Sequence, residues 1–148
     1  MTTTTVRTVR APKMEGFVPV HFSVDSERRL VTVRFDSEVT VQDVVQYLES
    51  LKANPAFEPD FSELVDLTQV MSSEVDFQAA MMLAHDVDPF SRKARRAFVA
   101  PRAATFGTVR MYRMARGDEG SIAVFRTMDE AKRWLGIEQS ASGTGSNG

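Results

Sequence analysis

The stretch Ala97-Phe98-Val99-Ala100, with Pro101 and the segment Ala103 to Arg116 after it, decides the fold. Its first four residues form a short apolar run, which is typical of a strand buried on both faces, and Pro101 ends that run. In the segment that follows, apolar side chains recur at helical spacing, at Phe106, Val109 and Tyr112. A buried strand followed directly by an amphipathic helix predicts one strand–helix unit of an α/β domain.

The same alternation extends in both directions along the chain. Two more short apolar runs predict buried strands, at Leu64-Val65-Asp66-Leu67 and Ile122-Ala123-Val124-Phe125. Three further helices are predicted from their N-caps, Thr40, Ser73 and Thr127. Each of these caps has an acidic residue three positions further on, which is the spacing that favours a helix start.

An alternating pattern ahead of these units predicts a β-hairpin. Residues 18–23 and 30–35 alternate between apolar and polar side chains, and a polar turn over 25–29 separates them. Pro19 favours an edge position for the first of the two strands. The predicted order is therefore ββαβαβαβα. We expect an α/β domain with a mostly parallel mixed sheet of about five strands and with helices packed on it.

Both ends of the chain lack this pattern. Residues 1–15 contain threonines at 2–5 and three bases but no apolar period, which predicts a disordered basic tail. A transit peptide is an alternative interpretation of this segment. Residues 139–148 are rich in Ser and Gly, which predicts a flexible tail. One folded domain is expected over residues 16–138, as suits a chain of 148 residues.

The composition excludes several classes of protein. Because there is no cysteine, a disulfide scaffold, a thiolate nucleophile and a cysteine-ligated metal site are ruled out. The net charge of −2 argues against a dedicated nucleic-acid binder. No apolar run reaches the roughly 20 residues of a membrane span, and no signal-peptide apolar block is present. We expect a cytoplasmic protein with no cofactor, no nucleic-acid partner and no membrane span.

The charges are segregated along the chain. Residues 53–91 contain eight acidic residues and no Lys or Arg, whereas residues 92–116 contain eight basic residues and no acid. One interpretation is a polarised surface that steers partners or supports a homodimer. The interpretation we favour is that the two blocks neutralise each other across neighbouring elements.

Several motifs, taken in order, carry a resemblance to a known family. They are Val39-Thr40-Val41, the Pro- and Phe-containing loop 55–61, Leu64-Val65-Asp66-Leu67-Thr68 and the closing segment 124–135. Their order and spacing resemble the SpoIIAA-like, or STAS-like, family of small bacterial proteins over most of residues 17–137. The resemblance implies a STAS fold, which is related in architecture to the CRAL-TRIO lipid-binding domain. It also implies a regulatory role, because STAS anti-anti-sigma factors bind an anti-sigma kinase and are switched by phosphorylation of a serine.

The resemblance places that serine in the loop after Leu67. The loop is shorter here but keeps a Ser-Ser pair, and Glu74 stands where the family has Gly. The expected partner-binding or phospho-switch loop comprises Thr68, Ser72, Ser73 and Asp76. A simple helix cap at Ser73 is the alternative we favour over a switch, because Glu74 and Asp76 would repel a phosphate.

Other side chains give weaker candidate sites. Arg102, directly before the third predicted helix, could help to hold an anion at the start of that helix. Arg110, Arg113 and Arg116 on the helix could form a basic stripe that faces a partner's acidic patch or a phosphorylated group, although we favour plain solvent. His85 with Asp86 and Asp88 has the chemistry of metal ligands, but we favour a solvated helix end and expect no metal.

The chain also contains eight methionines, including Met81/Met82 and Met111/Met114. Flexible thioethers can line an adaptable apolar groove, although they more often fill gaps in a core.

Taken together, the sequence predicts a non-enzymatic STAS-like regulatory or protein-interaction domain with a protein partner, and the resemblance implies an anti-anti-sigma-like role as one form of it. The alternative is a carrier that binds a hydrophobic, lipid-like or anionic small molecule, as the CRAL-TRIO kinship implies. No nucleophile elbow, Gly-rich phosphate loop or histidine with a recognisable partner motif supports an enzyme.

Overall fold

The computed structural model describes residues 6–10, 20–117 and 120–137, with side chains from residue 20 onward. Within these residues the chain forms one mixed sheet whose six strands lie in sequence order. The strands are β1 (Val6–Arg10), β2 (Val20–Asp25), β3 (Leu30–Val39), β4 (Ser62–Ser73), β5 (Arg96–Val99) and β6 (Ile122–Phe125). The pairs β1–β2 and β2–β3 are antiparallel, and β3 to β6 run parallel. The predicted α/β class with a mostly parallel mixed sheet is confirmed.

The helices connect the parallel strands. They are α1 (Val41–Ala53), α2 (Phe77–Met82), α3 (Ala103–Arg116) and α4 (Met128–Leu135), and α2 continues directly into a π-helical turn, Leu83–Val87. Thr40 and Asp43 form the predicted capping box of α1. Helices α3 and α4 end at Gly117 and Gly136, whose φ angles of 73° and 75° lie in the left-handed region that glycine adopts without strain.

The N-terminal segment corrects one prediction. Residues 6–10 lie in the predicted disordered tail, yet they form β1, which pairs with β2 from Val6↔Asp25 to Arg10↔His21. Without β1, the outer N–H and C=O groups of β2 would be unpaired, and the β-branched residues of 6–10 suit a strand. Consequently β2 is not the edge strand that Pro19 suggested. The predicted flexible tail 139–148 lies outside the described residues.

The strand β4 corrects a second prediction. Its apolar run was expected to end at Leu67, but β4 continues to Ser73 because β3 pairs with it as far as Val39↔Ser73. The pairing shifts register between Arg34 and Asp36 and again between Ser37 and Glu38, as β-bulges do. The predicted loop 68–73 is therefore a bulged strand.

The two faces of the sheet differ in what covers them. On one face, α1, α2, the π-helical turn and α3 enclose the larger core, which includes Phe22, Val33 and Val65. On the other face, α4 covers a smaller core that includes Leu64 and Val99. We call these the large-core face and the α4 face.

Candidate functional site

Five buried side chains from separate parts of the chain meet on the large-core face. They are Tyr47 of α1, Glu63 of β4, Asp88 directly after the π-helical turn, Arg96 of β5 and Tyr112 of α3. We call them the Arg96 cluster. Arg96 is 2% exposed and lies at the centre, because its Nε donates to Glu63 Oε1 at 2.9 Å and its Nη1 donates to Asp88 Oδ2 at 2.8 Å.

The two tyrosines complete the hydrogen bonding of the carboxylates. The Tyr47 hydroxyl donates to Glu63 Oε2 at 2.5 Å, and the Tyr112 hydroxyl donates to the Asp88 carboxylate. Arg116 approaches Asp88 from α3, with its Nη1 3.8 Å from Oδ1. Buried charges are tolerated when they are paired and hydrogen-bonded in this way. The cluster therefore ties α1, the π-helical turn and α3 to the middle of the sheet.

The protonation of the cluster follows from its burial. Burial raises the pKa of the Tyr47 hydroxyl well above its ordinary value, and the charge of Glu63 adds to the effect. Burial likewise raises the pKa of Tyr112, and the Asp88 carboxylate adds to it against the opposing effect of Arg96. For Arg96, burial alone would lower the pKa, but the two carboxylates raise it above its ordinary value. Both phenols are therefore protonated donors, and Arg96 is a cation.

An apolar cavity of about 90 Å³ lies against this cluster. Its floor is formed by Tyr47, Glu63, Arg96 and Tyr112. Its walls come from both the sheet and the helices that cover it, and include Phe35, Leu48, Val65, Leu67, Leu83 and Val109. Four members of the lining are half-buried, so the cavity is not lined by fully buried residues alone, and they are Val44, Ser73, Phe98 and Thr108.

The structure separates the residues of the predicted partner-binding loop. Thr68 lies on the α4 face, where its hydroxyl and its backbone N–H donate to Asp66 Oδ1 at 2.6 and 2.9 Å. Ser72 is exposed on β4, whereas Ser73 lines the cavity. Asp76 is exposed at the start of α2. These four side chains therefore do not form one loop surface.

The predicted helix cap at Ser73 is wrong. Asp76 is the N-cap of α2, because its Oδ1 accepts the Ala79 N–H at 2.8 Å. Ser73 Oγ accepts the Val75 N–H at 3.1 Å, which is a local turn three residues before the helix. The longer β4 explains the difference, since Ser73 is still paired with β3.

Glu74 has a structural contact that accounts for its place in this loop. Its Oε1 accepts the backbone N–H of Val41 at 3.1 Å, at the start of α1. A carboxylate at a helix N-terminus is favourable because the first N–H groups have no partner within the helix.

The predicted anion-binding arginines have different surroundings. Arg102 Nη1 donates to the carbonyl oxygens of Thr68 and Val70 at 3.0 and 3.1 Å, so this side chain joins the start of α3 to β4. Arg110 is exposed and Arg113 is half-buried. The binding of an anion by these residues stays a prediction.

The residues considered as metal ligands also diverge. His85 and Asp86 are exposed, whereas the Asp88 side chain is completely buried in the Arg96 cluster. Among residues 6–10, 20–117 and 120–137, no group of three or more potential ligands has a geometry that could hold a metal ion.

The favoured interpretation of the charge blocks is confirmed at the Arg96 cluster. Glu63 and Asp88 belong to the acidic block, and Arg96 and Arg116, with which they pair, belong to the basic block. The methionines divide between core and surface. Met81, Met82 and Met111 pack against the larger core, whereas Met71 and Met114 are exposed.

Reasoning from the sequence missed the Arg96 cluster, although a signal was present. Glu63 and Arg96 each stand directly before an apolar run, and the two are paired neighbours on adjacent parallel strands. Opposite charges at equivalent positions of two predicted buried strands indicate a buried ion pair, since a lone buried charge is unfavourable.

The chain is similar to known proteins at the level of solved structures. No family model and no curated protein matches the chain. A crystal structure from Shewanella loihica PV-4, described as an uncharacterised protein of the DUF3478 family with a SpoIIAA-like fold, is similar to it. The identity is 16%, the match covers 88% of this chain and 91% of that chain, and the TM-score is 0.47. The description of that protein mentions no ligand or activity.

In the part of the chain that the structure describes, no helix is both long enough and apolar enough to cross a membrane.

Proposed function

We propose that this domain binds a small apolar molecule in the cavity against the Arg96 cluster. The observation that supports the proposal is the cavity itself, which has walls of aliphatic and aromatic side chains and four half-buried residues in its lining. Small-molecule sites are typically concave and mostly apolar, with a few fixed polar groups.

The size of the cavity favours an occupant over a packing defect. Protein interiors hold few voids larger than a water molecule. An apolar cavity of about 90 Å³ leaves the side chains that line it without packing partners on one side. A bound apolar group would restore those contacts. A cavity of about 150 Å³ binds benzene, so the smaller cavity here would suit a short alkyl group, or a ring after a slight movement of its walls.

The π-helical turn is the part of the wall best suited to such a movement. The turn contributes Leu83 to the lining and is followed directly by Asp88. A ligand that shifts the turn would therefore also move Asp88, a member of the Arg96 cluster. Single π-helical turns occur frequently at functional sites.

The proposed function is not enzymatic. Both phenols of the floor donate to carboxylates, and their raised pKa values keep them protonated, so neither serves as a base at neutral pH. Arg96 and Glu63 are bonded to each other. The described lining therefore offers no nucleophile beside a free base.

The test uses toluene as an apolar probe of the full-length protein, followed by ligand-detected NMR and by the shift in thermal midpoint. We expect saturable binding. Thr108→Trp places a large ring among the half-buried lining residues and should weaken binding on the order of tenfold or more. Ala104→Trp is the matched control, because Ala104 is exposed one turn earlier on α3 and outside the lining. If toluene does not bind, or if both variants bind alike, the proposal is wrong.

A second candidate function is the docking of a protein partner, which the sequence predicted. The observation that favours it is a pair of exposed apolar side chains on either side of residues 72–76, Met71 at 64% and Phe77 at 53% exposure. Exposed Glu74 and Asp76 lie between them in the chain, so we infer a partner with apolar and basic side chains.

The docking candidate predicts that Met71→Glu and Phe77→Glu each abolish a complex recovered from the native host. Met114→Glu is the matched control, since Met114 is equally exposed but lies on α3. Loss of the complex with all three variants, or with none, would count against this surface.

A further inference from the structure

The hydroxyl groups that line the cavity already have hydrogen-bond partners. The Tyr47 and Tyr112 hydroxyl protons are donated to Glu63 and Asp88. The hydroxyls of Thr105 and Thr108 donate to carbonyl oxygens of their own helix at 3.1 and 3.2 Å. Across the part of the chain that the structure describes, Gln46 Oε1 is the single buried side-chain oxygen or nitrogen without a partner, and Gln46 is not in the lining.

The charged groups of the floor are likewise engaged. Arg96 and Glu63 are the charged side chains in the described lining. The guanidinium of Arg96 already holds two carboxylates, at 2.9 and 2.8 Å. Both oxygens of Glu63 accept hydrogen bonds, one from Arg96 and the other from Tyr47. A ligand carboxylate that reached the floor would therefore meet the negative charge of Glu63 with no unshared cation to pair with.

We infer that the cavity selects an uncharged alkyl or aryl group and that any ionised group of the ligand stays outside, beyond the half-buried lining residues. This inference rests on the proposed function and adds that the cavity excludes an ionised group and where such a group of the ligand would lie. The reason is that an unpaired ion is costly to bury, whereas an apolar group gains from leaving water. The charge of Arg96 at the floor of the cavity is thus balanced by the carboxylates of the cluster, so the cluster does not act as an anion-binding site.

Three probes that share one aromatic ring test the inference on the full-length protein. Toluene carries no charge, benzoate carries its carboxylate directly on the ring, and 4-phenylbutyrate carries it at the end of a three-methylene chain. We expect toluene to bind and benzoate to bind on the order of tenfold more weakly or worse. We expect 4-phenylbutyrate to regain most of the affinity, because its chain allows the ring to enter while the carboxylate remains in water.

The outcomes separate the two proposals. If benzoate binds as tightly as toluene, the selectivity inference is overturned while the cavity remains a ligand site. If 4-phenylbutyrate binds as weakly as benzoate, the location of the charge outside the cavity is wrong. If none of the three probes binds, the proposed function itself fails.

A substitution in the floor adds an independent readout. Glu63→Gln removes the negative charge and leaves Arg96 with one carboxylate, so the affinity for benzoate should rise toward that for toluene in a variant whose circular dichroism is unchanged. An unchanged ratio of the two affinities in that folded variant would contradict the role given to Glu63.

Discussion

Arg95 and Arg96 are consecutive residues with opposite surroundings. Arg96 points into the large-core face, where its guanidinium carbon lies 4.2 Å from the centre of the Phe90 ring and the group pairs with two carboxylates. Arg95 is exposed on the other side, where its guanidinium carbon lies 4.0 Å from the centre of the Trp134 ring and its Nη2 donates to the Trp134 carbonyl oxygen at 2.8 Å. Both guanidinium groups therefore contact an aromatic ring at a similar distance, but Arg96 is buried whereas Arg95 is exposed to solvent.

This comparison shows how the large-core face and the α4 face differ in what they contribute to the stability of the fold. The contact of Arg95 fastens α4 to the sheet, but water competes for the same groups, so its contribution is small. Water is excluded from Arg96, and removal of this side chain would leave buried Glu63 without a cation and buried Asp88 with only the more distant Arg116. The face with the buried cluster also holds the cavity, so stability and the candidate site depend on the same side chains.

The largest expected effect is that of Arg96→Met. The variant keeps an apolar chain of similar length but leaves Glu63 without its cation and Asp88 with Arg116 alone, whose Nη1 lies 3.8 Å from Oδ1. It should lower the free energy of unfolding by about 3–5 kcal/mol. Urea denaturation followed by circular dichroism measures the change. A combined variant, Glu63→Gln, Asp88→Asn and Arg96→Met, should recover part of the loss because neither buried carboxylate remains. A loss below about 1 kcal/mol for Arg96→Met would show that burial does not distinguish the two arginines.

The next effect appears at alkaline pH. The folded-state pKa values of Tyr47 and Tyr112 are raised above those of the unfolded chain. The stability that the two phenols contribute is therefore fully present below about pH 10 and is lost as the pH rises above it, by about 1.4 kcal/mol per pH unit for each tyrosine. Urea denaturation at pH 9 and pH 11 measures the loss.

Tyr47→Phe provides the control for the alkaline effect. The chain contains two tyrosines, and both belong to the Arg96 cluster. The variant should therefore show about half of the tyrosine-dependent loss between pH 9 and pH 11, and the double variant with Tyr112→Phe should show none of it. If the pH dependence is the same in all three proteins, the phenols are not held protonated by the fold.

The smallest effect is expected from Arg95→Ala. Removing an exposed cation–π contact and one hydrogen bond should lower the free energy of unfolding by about 0.5–1 kcal/mol. Repeating the urea denaturation of wild type, Arg95→Ala and Arg96→Met in high salt sharpens the comparison, because salt screens exposed charges more than buried ones. A loss for Arg95→Ala as large as that for Arg96→Met would contradict the comparison.

Much of the fold could be predicted from the sequence, because the patterns that indicate its strands and helices involve residues close together in the chain. Apolar runs predicted β5 and β6, and Thr40 with Asp43 predicted the start of α1. The errors arose where a partner strand overrode the local signal. β3 extends β4 through Ser73, and β2 recruits residues 6–10 into β1.

The candidate site was harder to predict from the sequence because its residues lie far apart in the chain. Glu63 and Arg96 meet only through strand pairing, and Asp88 joins them only because the π-helical turn ends against α3. The predicted partner-binding loop shows the opposite, because its residues are close together in the sequence but are separated in the structure. The pleat and the bulges of β4 place Thr68 and Ser73 on opposite faces.

The sequence by itself determined the α/β class, the order of the elements from β2 onward and the presence of two opposite charge blocks, because periodicity, capping residues and composition are properties of neighbouring residues. Only the tertiary structure decided which charges pair, that an apolar cavity lies against them, and that one of two adjacent arginines is buried while the other is exposed. The physical reason is that burial, pairing and empty volume depend on which distant side chains share a space, and that is set when the helices pack on the sheet.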